Sequence, residues 1–167
     1  GEQGGVQYGN LTRTLESYWD TQVAAWRDYR LTRMLYYPKN DQSGVYLTGL
    51  VALIKSYACP ADVFNAACST DYSYPSYPPE SWLTAVQWNL YDNHHPPTGS
   101  FNTQPSAGVL TGARRLLYCL DSACGTSSNQ RFSDQVFGYD AWGNRTTTTA
   151  YSEEGTFTAM ATVGARS

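Results

Sequence analysis

Turn-forming residues recur at short intervals along the chain, and this spacing limits the length of any regular element. Tyr8-Gly9-Asn10, Asn40-Asp41 and Glu153-Glu154-Gly155 are three such signals between runs of apolar, aromatic and β-branched residues. Short runs bounded by Gly, Pro, Asn and Asp are typical of β-strands. The 14 Tyr, 5 Trp and 5 Phe favour the same structure, because aromatic side chains fit a pleated, half-buried surface.

The strand-like runs together predict an all-β domain of antiparallel hairpins, arranged as a barrel, a sandwich or layered strands. The predicted strands cover residues 11–19, 26–37, 45–57, 82–91, 110–119, 130–139, 145–151 and 156–163. The run at 26–37 also fits a helix, because its apolar residues are compatible with both periodicities. The last four runs form two predicted hairpins, the second turning at Glu153-Glu154-Gly155. We assign residues 1–167 to a single β-rich domain.

A loop rich in Pro and Tyr interrupts the strands at residues 69–80. Its prolines would remove hydrogen-bond donors from a central strand, so we expect this segment at the surface. Aromatic residues in and after this loop are candidates for contact with a protein partner or a glycan; they are Tyr72, Tyr74, Tyr77, Trp82 and Trp88. If residues 82–91 form a strand, the even spacing of the two tryptophans places both on one face. The alternative is that the tryptophans fill the core.

The four cysteines form two pairs that are close in sequence, Cys59 with Cys68 and Cys119 with Cys124. Local pairing within each is the preferred interpretation, although four cysteines allow three connectivities. The competing hypotheses are two reduced buried pairs and a zinc site, but the spacings are unusual for zinc and no His lies nearby. Two disulfides would indicate an oxidising compartment, and therefore an extracellular or cell-surface protein.

Composition and motifs argue against several functional classes. The net charge of −3 comes without a basic patch, which argues against nucleic-acid binding. No apolar run approaches the ~20 residues that span a bilayer. The two histidines, His94 and His95, would point to opposite faces of a strand and are a poor pair of metal ligands. Since phosphate loops, dinucleotide motifs and nucleophile motifs are also missing, we expect neither enzymatic activity nor a cofactor.

One motif recurs at the two ends of the chain. Tyr139-Asp140-Ala141-Trp142-Gly143-Asn144 precedes a Thr-rich run, and Tyr8-Gly9-Asn10 before Leu-Thr repeats its second half. A partial echo lies at residues 90–93, and weaker similarity extends over 27–38 and 110–118. Gly-Asn supplies a turn that tolerates positive φ between two strands. This pattern resembles the YD repeat of Rhs proteins, Tyr-Asp-x-x-Gly-Asn followed by a strand.

The resemblance implies a β-strand scaffold that belongs to a larger, exported bacterial surface polypeptide. Repeated units leave edges for their neighbours to cover, so an isolated segment is expected to pack against copies of itself. The first functional hypothesis is therefore a structural protein that self-associates into a fibre, sheath or surface layer. The second is an adhesion module that binds a glycan or a protein receptor through its exposed Tyr and Trp loops.

Overall fold

The computed structural model describes residues 10–38, 47–59, 78–92, 104–119 and 130–155. They form a single seven-stranded antiparallel sheet in which the strand order follows the chain. The strands are β1 (Arg13–Asp20), β2 (Ala25–Tyr36), β3 (Val51–Ala58), β4 (Leu83–Tyr91), β5 (Leu110–Cys119), β6 (Gln130–Tyr139) and β7 (Arg145–Gly155). A 3-10 turn at Glu80–Trp82 precedes β4. The all-β prediction is confirmed. Within the described residues the sheet stays open, with β1 and β7 at its edges, so these strands do not close into a barrel.

Most of the predicted strands are found, with three differences. The strand predicted at 45–57 begins at Val51 within the described residues, because residues 48–50 belong to the connection that precedes β3. The helical alternative for residues 26–37 is wrong, because this run forms most of β2 and pairs with strands on both sides. The predicted turn at Glu153-Glu154-Gly155 is also wrong. β7 continues through Gly155 because its ladder with β6 extends to the pair Phe132↔Gly155. The strand predicted at 156–163 lies outside the described residues.

One face of the sheet carries most of the buried side chains, and we call it the inner face. Cross-strand partners share a face, and the registers place the following residues together: Leu31, Leu53, Tyr57, Val86, Trp88 and Phe132. The rings of Trp88 and Phe132 pack edge to face, with centroids 5.1 Å apart. Each fully buried side chain of this kind contributes about 1.5–3 kcal/mol, so the inner face is the main source of stability.

The inner face also holds a buried ion pair. Arg114 on β5 and Asp134 on β6 are cross-strand partners, and their side chains are almost completely shielded from solvent. The guanidinium Nε donates to Oδ1 of Asp134 at 2.7 Å, and an Nη donates to Oδ2 at 2.8 Å. The same guanidinium lies 5.1 Å from the centroid of the Phe132 ring. This bidentate ion pair provides each of the two charges with an oppositely charged hydrogen-bond partner inside the apolar layer.

Candidate functional site: a repeated turn edge, two outer strands and an aromatic hairpin

The same turn unit closes three hairpins along one edge of the sheet, which we call the turn edge. Tyr36, Tyr91 and Tyr139 occupy the equivalent position at the ends of β2, β4 and β6. In each unit the residue after this Tyr donates its backbone N–H to the residue that precedes the next strand, at 2.8–3.0 Å. The pairs are Tyr37 to Leu50, Asp92 to Val109 and Asp140 to Asn144. A glycine with positive φ precedes each acceptor: Gly49, Gly108 and Gly143.

A β-bulge accompanies every turn unit at the same place. The register shifts immediately before each of the three tyrosines, because the following strand has one extra, unpaired residue at its second position. These extra residues are Ala52, Thr111 and Thr146. A bulge strengthens the local twist and is a specific feature of a fold rather than a defect. Its threefold recurrence shows that the sheet is built from an internal repeat of two strands.

Side chains at the turn edge also satisfy equivalent backbone carbonyls. The carbonyl oxygen of Val51 accepts from the Asn89 amide at 3.0 Å, and that of Leu110 accepts from the Tyr139 hydroxyl at 2.6 Å. The Tyr36 hydroxyl donates in the same way to the carbonyl of Leu11, just before β1. Each strand pair β1–β2, β3–β4 and β5–β6 therefore carries a side-chain link to a backbone carbonyl, made by the turn tyrosine in two pairs and by Asn89 in the third.

Two of the turn units hold an aspartate that organises the connection. The Asp92 carboxylate accepts four backbone N–H groups, from residues 106 to 109, at 2.7–3.0 Å. Asp140 accepts from the backbone N–H groups of Trp142 and Asn144 and from the Asn144 side-chain amide. In the first unit the corresponding residue is Tyr37, which is buried and packs edge to face against Tyr91 with centroids 5.6 Å apart.

These contacts shift the acidity of the turn residues. Burial raises the pKa of Asp92, but the hydrogen bonds from Ala107, Gly108, Val109 and Ser106 outweigh it and hold the pKa below its ordinary value. The hydrogen bond from the Asn144 side chain, with those from the backbone, lowers the pKa of Asp140. Burial raises the pKa of Tyr37 to about 12 and also raises that of Tyr91. Both carboxylates are therefore anionic acceptors at neutral pH.

The lowered pKa of Asp92 predicts an acid-sensitive contribution to stability. Asp92→Ala is expected to reduce the free energy of unfolding by about 1–2 kcal/mol at pH 7, because four amides lose a charged acceptor. A carboxylate with a depressed folded-state pKa stabilises above its unfolded pKa of about 4 and loses this effect as pH falls through the folded value. The difference between wild type and variant should therefore shrink towards pH 2 in urea unfolding experiments.

The matched control for this prediction is Asp28→Ala. The Asp28 carboxylate accepts a hydrogen bond from the Ser17 hydroxyl on the neighbouring strand, but it organises no turn. Its replacement should change the free energy of unfolding by less than about 0.5 kcal/mol. Equal losses for the two variants, or a loss at Asp92 that is the same at pH 7 and pH 2, would contradict a special role for the Asp92 carboxylate.

The hairpin between β1 and β2 extends beyond the rest of the sheet and carries exposed aromatic residues. β3 ends opposite Arg30, so among the described strand pairings residues 17–20 and 25–28 pair only with each other. Trp19 and Trp26 are cross-strand partners with centroids 5.7 Å apart, and they remain 49% and 64% exposed. Tyr18 and Tyr29 form a second exposed pair. We call residues 17–29 the aromatic hairpin.

The charged side chains of the aromatic hairpin have different kinds of partner. Arg27 lies 2.6 Å from the Asp20 carboxylate, whereas the Asp28 carboxylate accepts a hydrogen bond from the Ser17 hydroxyl. Arg30, at the base of the hairpin, contacts Glu16, and the hydrogen bonds from Arg30 and Tyr29 lower the pKa of that glutamate. Residues 17–29 therefore present exposed aromatic rings beside the Arg27–Asp20 ion pair and one further carboxylate.

The contact residues expected from the sequence are placed differently by the structure. Trp88 is only 7% exposed and belongs to the inner face, so it is a core residue and its assignment as a contact residue is corrected. Trp82 is half-buried in the 3-10 turn and packs against the cluster of Leu31 and Tyr57. Both tryptophans therefore contact inner-face residues, but Trp82 does so from the 3-10 turn, because β4 begins at Leu83 and not at Trp82. Tyr72, Tyr74 and Tyr77 lie outside the described residues.

Some of the remaining predicted site residues lie within the described residues. Tyr139, Asp140, Gly143 and Asn144 form one complete turn unit. Asn10 is described, and its side chain lies against Gly49 in the neighbouring unit; Tyr8 and Gly9 lie outside the described residues. Cys59 is disulfide-bonded. The pairing with Cys68 and the bridge between Cys119 and Cys124 stay predictions, since Cys68 and Cys124 also fall outside that part of the chain.

The outer strands differ in chemistry. β1 carries Arg13, Glu16 and Asp20, whereas β7 has no charged residue between Arg145 and Glu153. Thr146, Thr147 and Thr148 are exposed. Natural sheets commonly protect an outer strand with charges or proline. The central part of β7 lacks both, which makes this strand the less protected of the two edges.

Within the described residues, no helix is long and apolar enough to cross a membrane. No three His, Cys, Asp or Glu side chains in these segments come together as metal ligands. Searches of protein-family models, curated proteins and solved structures found no match to the chain.

Proposed function

We propose that this chain is a structural module of an extracellular or cell-surface β-scaffold, and that it self-associates through strand packing. The observation that carries the proposal is the threefold turn unit along the turn edge. A unit of two strands, a bulge and a clamped turn can be added repeatedly, because each new strand pairs with the exposed edge of the previous one. Such a sheet has no intrinsic end, so β1 and β7 are the surfaces on which further strands would assemble.

The YD-repeat resemblance is consistent with this proposal. The complete motif at Tyr139–Asn144 forms the third turn unit, and its partial echo at Tyr91-Asp92 lies at the equivalent place in the second. A scaffold needs reproducible geometry more than a reactive centre. The features that recur within the chain are the bulges, the hydrogen bonds that close the turns and the side-chain links to strand carbonyls, all of which fix the twist and spacing of strands. The disulfide at Cys59 supports an oxidising compartment.

Self-association is tested with the native, unreduced protein. Multi-angle light scattering across a concentration series, with negative-stain electron microscopy of the same samples, should show species larger than the 18.5 kDa chain. Their population should rise with protein concentration by mass action. A species of monomer mass at every concentration, without regular particles on the grid, would contradict the structural proposal.

The aromatic hairpin supports a second candidate function, recognition of an uncharged glycan. Exposed tryptophan rings can pack against the apolar faces of sugar rings, and neighbouring polar side chains can form hydrogen bonds with the hydroxyl groups. The rings of Trp19 and Trp26 are accessible and packed edge to face, and the neighbouring Arg27 is paired with Asp20. A monomer whose tryptophan fluorescence changes on titration with neutral polysaccharides, and no longer changes in a Trp26→Ala variant, would favour this function over assembly.

A further inference from the structure

The odd number of strands in the described part of the sheet restricts how two copies of this chain can join edge to edge. Successive strands alternate in direction across all six pairings, so β1 and β7 run the same way. A copy placed beside the first by simple translation would bring β1 next to β7 in parallel. That junction would interrupt an otherwise antiparallel sheet, and parallel pairing is slightly less stable per residue.

Antiparallel joining of unlike edges carries a different cost. To bring β1 of one copy antiparallel to β7 of another, the second copy must be turned over. Its inner face would then lie on the opposite side of the combined sheet from that of the first copy. The buried row that contains Trp88, Arg114 and Asp134 would no longer continue across the junction. Only like edges, related by a two-fold axis normal to the sheet, keep both the antiparallel pattern and a common inner face.

Two like-edge contacts are possible, β1 with β1 and β7 with β7. The contact between β7 strands is opposed by fewer charged side chains in the middle of the strand. β7 is the longer outer strand and has the uncharged stretch from Thr146 to Ser152. Both outer strands carry three charged residues, but those of β1 are spread along its length, whereas those of β7 lie at its two ends. The distal half of β1 also belongs to the aromatic hairpin, which extends past β3. The exposed threonines of β7 are β-branched, and such residues pair well across strands, including with a second copy of themselves.

We propose that two copies of this chain pair through the outer edges of their β7 strands, antiparallel and about a two-fold axis, to form one continuous sheet. This inference rests on the proposed self-association and names its first step. The pairing is isologous, so β7 contacts close a dimer and do not by themselves propagate a filament. Growth beyond the dimer requires a separate contact between β1 edges.

The experiment compares two doubly substituted variants with wild type. Thr146→Lys/Thr148→Lys introduces charges on one face of β7, where both copies would bring them together. Ala85→Lys/Gln135→Lys adds the same charge to exposed positions of the central strands β4 and β6, on the same outer face. Sedimentation equilibrium should show the dimer dissociation constant raised at least about tenfold by the first variant only. Circular dichroism and thermal melting establish that both variants fold.

Hydrogen exchange gives a second readout that does not depend on substitution. Amides of β7 that face away from β6 should be protected in concentrated wild-type samples and exchange faster on dilution. If wild type assembles but the β7 lysines have no more effect than the control pair, the β7 contact is wrong while self-association stands. If wild type is monomeric at all concentrations, the proposed function fails and this inference fails with it.

Discussion

Asp134→Ala is expected to lower the free energy of unfolding by about 3–5 kcal/mol, the typical cost of removing one partner of a buried ion pair. Arg114 carries a guanidinium charge, and its side chain is almost fully enclosed on the inner face. Without the carboxylate, that charge loses both of its close hydrogen bonds to Asp134. Urea unfolding followed by tryptophan fluorescence measures the loss directly.

The control removes both charges together. Arg114→Met/Asp134→Leu replaces the pair by apolar side chains of similar size, which in other proteins is often neutral or stabilising. We expect this double variant to recover most of the stability lost in Asp134→Ala. If the double variant is as unstable as the single one, the loss comes from disturbed packing around β5 and β6, and the uncompensated charge is not its cause.

Trp88→Ala is expected to cost about 3–5 kcal/mol, because it opens a large cavity in the inner face. Trp88 packs against Phe132 and lies in the cluster with Leu53 and Val86. Trp142→Ala is the matched control, since it makes the same chemical change at a turn position that is 87% exposed. That variant should change stability by less than about 0.5 kcal/mol.

The comparison is made by chemical denaturation monitored by circular dichroism, because both variants alter the fluorescence. The two substitutions should differ by at least about 2.5 kcal/mol in the free energy of unfolding. Similar values would show that Trp88 does not hold the sheet together.

The strands were largely predictable because local patterning and sheet pairing agree over most of the chain. β5 and β6 begin and end at the predicted residues, where turn formers flank alternating side chains. β7 shows the opposite case. Glu153-Glu154-Gly155 has the composition of a turn, but pairing with β6 as far as Phe132 keeps these residues extended. Tertiary pairing overrides local preference wherever a neighbouring strand is long enough to impose it.

The candidate surfaces were less predictable, because an aromatic residue in a strand gives the same sequence signal in the core and at the surface. Trp88 is buried because strands flank it on both sides, whereas Trp26 is exposed because β3 ends before reaching it. The difference in exposure between these two tryptophans depends on how far the neighbouring strand extends, and the sequence around each tryptophan does not contain that information. The turn repeat was visible only at Tyr139–Asn144. In the first unit Tyr36 and Gly49 are separated in sequence and are matched only by backbone geometry.

Because the same hydrogen bond closes each turn, the geometry of the sheet does not depend on the number of residues in the connection. The same closing hydrogen bond spans residues 141–143 in the third unit and residues 93–108 in the second. Lengthening a flexible loop about fivefold costs only about 1.5 kcal/mol of closure entropy, an amount that the Asp92 clamp is able to offset. The number of residues between the closing contacts can consequently change at little cost to the fold, whereas residues that bond the aspartate, such as those at 106–109, are held by it. The turn edge can diversify, or accept a foreign peptide for display, while the strands that carry it keep their register.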